Sequence, residues 1–209
     1  TNLQPVFAMP FSDISGHWAR DSVLRLASTD IVSGYNGKFN PKSGVTRAEF
    51  AAMIVKALGL ADEADAAMGS ATGYKDVASS HWASGFVITA RETGIISGYP
   101  DGTFRPGALI RRSEITSVLV RALKFAPDAG MGNPHEVFTD GREIPAWALT
   151  AVQTAHGYGL VSGYPDGTFR PSNNATRGET AALIEKVLEQ LGGHFTFYGN
   201  LLKMDGGGT

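Results

Sequence analysis

A mainly α-helical domain, built from three copies of one helix-loop-helix unit, is the architecture this sequence predicts. Three observations carry the prediction. The string Ser-Gly-Tyr stands at 33–35, 97–99 and 162–164, recurring after 64 and then 65 residues. Phe39-Asn40-Pro41, Phe104-Arg105-Pro106 and Phe169-Arg170-Pro171 follow it in the same register, and the three tryptophans, Trp18, Trp82 and Trp147, keep the spacing as well. Between these landmarks the apolar residues step by three and four, the period of a helix with one buried face.

Each unit opens on aromatic-x-Asp, from Phe11 to Asp13, Tyr74 to Asp76 and Phe138 to Asp140. The aspartates stand where a cap for the following helix would be. Trp82, Phe86, Val87 and Ala90, and in the third unit Trp147, Ala148, Ala151, Val152 and Ala155, mark that first helix. It should stop at Gly94 or Gly159, with Asp30 as the residue tolerant of a left-handed backbone in the first unit. A short extended piece then leads into a turn set by Pro100-Asp101-Gly102 or Pro165-Asp166-Gly167, shortened to Asn36-Gly37 in the first unit.

The second helix opens at Thr46-Arg47-Ala48-Glu49 and at Thr176-Arg177-Gly178-Glu179. Thr followed three residues later by Glu is a capping box, in which hydroxyl and carboxylate each satisfy an orphaned amide. The second unit has Arg111 in the threonine position and so loses the hydroxyl, while Arg112 and Glu114 remain. Behind the caps, Met53, Ile54, Ala57 and Leu58 form an apolar stripe, repeated as Val118, Leu119, Ala122 and Leu123, then Leu183, Ile184, Val187 and Leu188. These stripes are read as core.

The repeats span 11–60, 74–125 and 138–191, separated by linkers 59–73 and 124–137 that read as surface loops. One unit is too small to hide both its stripes, so the three should pack into a single pseudo-symmetric domain. The tail, 192–209, carries Phe195, Phe197 and Tyr198 among glycines and reads equally as a strand, a docked strap or disorder. Glycine makes up 26 of the 209 residues, above the average of roughly 7%. The repeated turns account for much of that excess.

Composition removes several function classes. The chain is 43% hydrophobic and 18% charged, with a net charge of -2, so it can bury a core and has no basic excess to favour a phosphate backbone. No window approaches the roughly 18 consecutive apolar residues of a membrane span. Zero cysteines exclude disulfides, thiolate zinc sites and cysteine nucleophiles. His17, His81, His135, His156 and His194 show neither metal-ligand spacing nor a nucleophile triad. Thr1-Pro10 lacks the basic start and apolar stretch of a signal peptide.

With these motifs quoted, the chain resembles the surface-layer homology family, the wall-anchoring modules of bacterial surface proteins. The family pattern is met by Phe11-Ser12-Asp13, His17-Trp18-Ala19, Gly34-Tyr35 and Thr46-Arg47-Ala48-Glu49 in the first repeat, and by Tyr74-Lys75-Asp76, His81-Trp82-Ala83 and Gly98 through Pro106 in the second. In the third repeat Ala146 replaces the histidine before Trp147, but Gly163 through Pro171 and the final capping motif match. The resemblance implies a three-pronged spindle around a central bundle of the first helices, with grooves between neighbouring repeats. It implies a secreted, non-catalytic module of the cell wall and S-layer, without cofactor, fused or adjacent to other surface-protein domains. The implied partner is a secondary cell-wall polysaccharide attached to peptidoglycan, often ending in pyruvylated N-acetylmannosamine.

The chemistry of the residues agrees with the ligand the resemblance implies, without naming it. Arg47, Arg112 and Arg177 each sit at the first position of a helix, where the dipole favours an anion and the guanidinium fork suits a carboxylate. They lead the candidate contacts. Trp18, Trp82 and Trp147 offer flat faces for a sugar ring, although the same residues head the apolar stripe and read equally as core. Gly34, Gly98 and Gly163 would let main-chain groups approach a saccharide, and Asp13 and Asp76 could accept its hydroxyls. Departures among the repeats mean that three motif copies do not guarantee three equal sites. Two other classes compete: a helical-repeat module binding a peptide, and a glycoside hydrolase using paired carboxylates. Against the hydrolase, the motif glutamates are already used as caps.

Overall fold

Two helices per repeat form where the apolar period places them. The computed structural model describes residues 10–127, 132–198 and 201–206; residues 1–9, 128–131 of the second linker, and 199–200 and 207–209 of the tail lie outside the described residues. The first helices are α1 (Arg20–Ser28), α4 (Ser84–Glu92) and α7 (Ala146–Gly157), and the second helices are α2 (Arg47–Ala57), α5 (Arg112–Ala122) and α8 (Arg177–Gln190). Short helices α3 (Ala61–Ala67) and α6 (Pro134–Val137) lie between repeats, and the tail forms an antiparallel hairpin of β1 (Gly193–Tyr198) and β2 (Leu201–Gly206). The chain is mainly helical, as the sequence predicts.

Helix ends follow local chemistry. At α2 the Glu49 amide donates to the Thr46 hydroxyl at 3.2 Å and the Thr46 amide to the Glu49 carboxylate at 2.7 Å, and Thr176 and Glu179 repeat the pair at α8. Arginine has no acceptor, so α5 keeps only half the box, the Arg111 amide donating to Glu114 at 2.9 Å. Each first helix is followed by a left-handed residue, Asp30 at φ 59°, Gly94 at 72° and Gly159 at 72°.

The opening aspartates do not cap the first helices, which start after Ala19, Ala83 and Pro145 without a side-chain cap. Each carboxylate instead reaches across its loop to two consecutive amides. Asp13 accepts from Phe39 and Asn40, Asp76 from Phe104 and Arg105, and Asp140 from Phe169 and Arg170, all at 2.7 to 2.9 Å. The second residue of each pair is left-handed, at φ 58°, 60° and 58°, a conformation that aims both amides at one carboxylate. Phe39, Phe104 and Phe169, none more than 1% exposed, seal the same loops against Phe11, Tyr74 and Phe138.

Three hydrogen bonds close the chain on itself. Val45 donates to the Ala175 carbonyl at 3.1 Å, Ala175 to Ile110 at 3.0 Å, and Ile110 back to Val45 at 2.9 Å. This ring joins the segments just before the second helices, and α2 also packs on α8. Nine of the eleven α2 residues are buried, against two of nine in α1. Each second helix packs on the first helix of the next repeat, α2 on α4, α5 on α7 and α8 back on α1, and no two first helices share a comparable contact. A central bundle of first helices is therefore not the arrangement found.

The first linker is also more than a surface loop. Its alanine-rich run, with Asp62 and Glu63 in the first turn, forms α3. Ala64 is fully buried against α4, close enough that a Cβ at Gly85 would lie 1.9 Å from its carbonyl oxygen.

Candidate functional site

The cyclic packing carries each motif arginine into its neighbour. Arg47 Nε donates to the Phe104 carbonyl, Arg112 Nε to Phe169 and Arg177 Nε to Phe39, each at 2.8 Å. The guanidinium centres lie 4.7 Å from the rings of Tyr99 and Tyr164 for Arg47 and Arg112, and 4.5 Å from Phe39 for Arg177. These cross-repeat seats bury Arg47, 5% exposed, and Arg112, 8%, while Arg177 is half-buried.

On its other face Tyr99 carries Arg105, at 3.9 Å, and Tyr164 carries Arg170, at 4.0 Å. Each tyrosine ring thus meets two guanidinium groups and donates its hydroxyl to a motif glutamate, Glu114 or Glu179. The first repeat has no such clamp. Asn40 replaces the second arginine, the shortened Asn36-Gly37 turn pairs Tyr35 with Lys38, and Tyr35 is 77% exposed.

The tryptophans are not core. Trp18, Trp82 and Trp147 are 67%, 53% and 61% exposed, because the buried stripe begins one residue later, at Ala19, Ala83 and Ala148, each fully buried. Trp18 lies beside His17, whose Nδ1 accepts the Ala19 amide at 3.2 Å. A Cβ at Gly178 would stand 2.8 Å from the His17 Cε1 and 3.2 Å from the Pro41 carbonyl oxygen.

A groove of about 880 Å³ runs between the third and first repeats, lined by Trp18 and Lys42 of the first, Arg112 of the second, and Gly163, Tyr164 and Glu179 of the third. The structure thus gathers three sequence-selected residues, Trp18, Arg112 and Gly163, from three different repeats. A smaller groove of about 340 Å³ joins Gly34, Tyr35 and Glu49 to Arg177. Arg47 reaches the Ser97 carbonyl, next to Gly98, at 3.4 Å. Trp82 and Trp147 occupy the same position in their own repeats as Trp18 does in the first.

The glycines of Ser-Gly-Tyr first serve packing within their own repeat. A Cβ at Gly98 would meet the Tyr74 ring at 2.2 Å and the Thr103 carbonyl at 2.6 Å, and one at Gly34 would meet Phe11 and Lys38 at 2.4 Å. Asp13 and Asp76 each accept two loop amides, one on each carboxylate oxygen, and are not among the residues lining either groove. Tyr164, Glu179 and Lys42 line the larger groove and are not among the sequence candidates. The tyrosine and the glutamate recur in register and were detectable as motif members, whereas Lys42 replaces Gly107 and Ser172 of the other repeats and left no periodic signal.

Carboxylates here are held ionised. Burial pushes Glu179 up, but the Thr176 amide, the Tyr164 and Thr176 hydroxyls and the Arg112 charge together bring it below its ordinary value. The Thr103 hydroxyl, then Arg105 and the Thr103 amide, lower Asp101 to about 2, and Asp166 falls to about 2 beside Thr168 and Arg170. A carboxylate whose folded pKa is depressed supports the fold above its unfolded value and loses that support as pH falls through the folded one. The melting temperature is expected to stay level from neutral pH to about pH 5 and to fall below about pH 4, a trend that thermal denaturation followed by circular dichroism checks.

Among the described residues no cluster of three or more histidines and carboxylates is placed to hold a metal ion, and no helix is long and apolar enough to cross a membrane.

Known proteins give these motifs a context. The S-layer homology domain model matches residues 10–51, 73–116 and 137–181. The chain is 37% identical over 185 residues, 87% of its length, to an amylopullulanase of Thermoanaerobacterium thermosulfurigenes, of which it covers 10%. It is 38% identical over 161 residues, 76% of its length, to a cellulosome-anchoring protein of Acetivibrio thermocellus, of which it covers 35%. A surface-layer 125 kDa protein of Lysinibacillus sphaericus is 29% identical over 185 residues, 87% of this chain and 15% of that protein. The chain thus spans about a third or less of the length of these relatives.

Proposed function

The chain belongs to the S-layer homology family, and on that premise we propose that it anchors a surface protein to the bacterial cell wall by binding a secondary cell-wall polymer attached to peptidoglycan. In this reading the bound end is a saccharide carrying a carboxylate, of the kind that pyruvylated N-acetylmannosamine provides, and adjoining domains are the cargo. The observation that carries the reading is the groove between the third and first repeats. There a nearly buried arginine faces a cleft beside an exposed tryptophan, one group for a carboxylate and one for a sugar face.

The relatives' names fit that role, since they include an anchoring protein and a surface-layer protein. The glutamates support a binding rather than a hydrolytic reading, because Glu49, Glu114 and Glu179 each accept the amide that opens their own helix. Co-sedimentation with purified walls tests the proposal. The chain is expected to pellet with walls that retain the polymer and to stay in the supernatant when the polymer has been extracted. Equal pelleting with both would contradict it.

A further inference from the structure

One of the three seams between first and second helices is built differently from the other two. In the register set by the tryptophans, Ser22 and Arg25 of α1 stand where α4 has Phe86 and Thr89 and α7 has Ala151 and Thr154. In the register set by the motif arginines, Glu185 of α8 stands where α2 has Val55 and α5 has Val120. The seam that closes the ring brings these three exceptions together. Arg25 Nη1 lies 2.7 Å from the Glu185 carboxylate, whose other oxygen accepts the Ser22 hydroxyl. Among the described residues no ion pair joins α2 to α4 or α5 to α7.

The Glu185 side chain is only 16% exposed in this seam, against 53% for Arg25. A largely buried carboxylate gains little net stability from its partner, because leaving water offsets the attraction, but it strongly disfavours any neighbour that offers no cation. Docked on α4, Glu185 would meet Phe86 and Thr89 at the corresponding positions, and on α7 Ala151 and Thr154. That discrimination is needed most at this seam. The linkers 59–73 and 124–137 lead from α2 to α4 and from α5 to α7, whereas α8 and α1 belong to the last and first repeats and meet through contacts alone. The α1 of a second copy presents α8 with the same face.

We propose that Glu185, with Arg25 and Ser22, is the pairing code of the closing seam, directing α8 to α1 and away from α4 and α7. The surface so marked fits one partner besides its own chain, a second copy that exchanges its third repeat, since each three-repeat ring then closes through the same three residues. The inference does not depend on the wall-polymer reading.

Charge reversal in the whole chain tests it. Glu185→Arg and Arg25→Glu each set like charges against each other, and each should lower the melting temperature by roughly 5 to 10 °C. The double variant restores an opposite pair and should melt within about 2 °C of the parent chain. The two single variants are also denatured, mixed in equal amounts and refolded together, and the products are weighed by light scattering after size exclusion. A dimer holding one copy of each variant is expected, because exchange of third repeats gives one ring the parental pair and the other the reversed pair. Either variant refolded alone should give no such dimer, since every seam open to it sets like charges together. Single variants that melt with the parent, a double variant no more stable than they are, or a mixture without the mixed dimer would overturn the proposal.

Discussion

A chain ending at Phe125, without the third repeat, is expected to lose its cooperative thermal transition and to bind no cell wall. The reason lies in how the repeats share their core. The partner of α1 is α8, so Val23 and Leu26, now at most 1% exposed, would lose their cover. Val45 would lose its acceptor on Ala175, Ile110 the amide that it accepts, and Arg112 its seat on Phe169. Repeats that fold as independent beads would instead keep about two thirds of the helical signal and a sharp transition, since a linear array is stabilised by neighbour contacts alone. Circular dichroism and scanning calorimetry of the shortened chain distinguish the two. A retained cooperative transition would show that the ring of three hydrogen bonds is not needed for closure.

Phe104→Ala is expected to destabilise the domain by about 3 to 5 kcal/mol, the range for removing a fully buried aromatic ring. Phe104 is 0% exposed, with its ring centroid 5.4 Å from that of Tyr74 and 5.0 Å from the Arg47 guanidinium centre. Its amide is held by Asp76 and its carbonyl by Arg47, so one residue joins the loop of the second repeat to the helix of the first. The melting temperature should fall by roughly 10 °C for a domain of this size. Trp82→Ala removes a ring that is 53% exposed and should cost under about 1 kcal/mol. Urea denaturation of the two variants checks the contrast. A similar cost for both would contradict the division between sealed loop and exposed groove wall.

Much of this architecture was legible before any coordinates. Capping boxes, turn residues and left-handed helix ends are set by neighbours within a few positions, so Thr46, Gly94 and Gly159 could be read one at a time. What could not be read is the cyclic exchange between repeats. Periodicity shows that α2, α5 and α8 are equivalent, but it does not show that each packs on the next repeat's first helix rather than on its own.

The same limit left the tryptophans open between core and groove wall. Trp82 fits the three-and-four step of a buried stripe, yet α4 begins only at Ser84, so Trp82 lies in the turn before it and Ala83 is the residue that faces inward. For the site, sequence alone marked the arginines and their helix-terminal chemistry. Whether a given arginine is neutralised depends on a glutamate about 67 residues later, as with Arg47 and Glu114, or 128 residues earlier, as with Arg177 and Glu49. The aspartates were misjudged for a related reason. A carboxylate near a helix start looks like a cap, and only the fold shows Asp13, Asp76 and Asp140 turned toward amides 26 to 30 residues downstream.

The central claim is that this domain recognises a carboxylate on a wall saccharide. The most direct measurement is a paired titration of the intact chain with pyruvylated N-acetylmannosamine and with unpyruvylated N-acetylmannosamine, at one pH and one ionic strength. The account predicts that the pyruvylated sugar binds roughly a hundredfold more tightly, the contribution of a charged hydrogen-bonded pair in a partly desolvated groove. Equal affinity for the two sugars would contradict it.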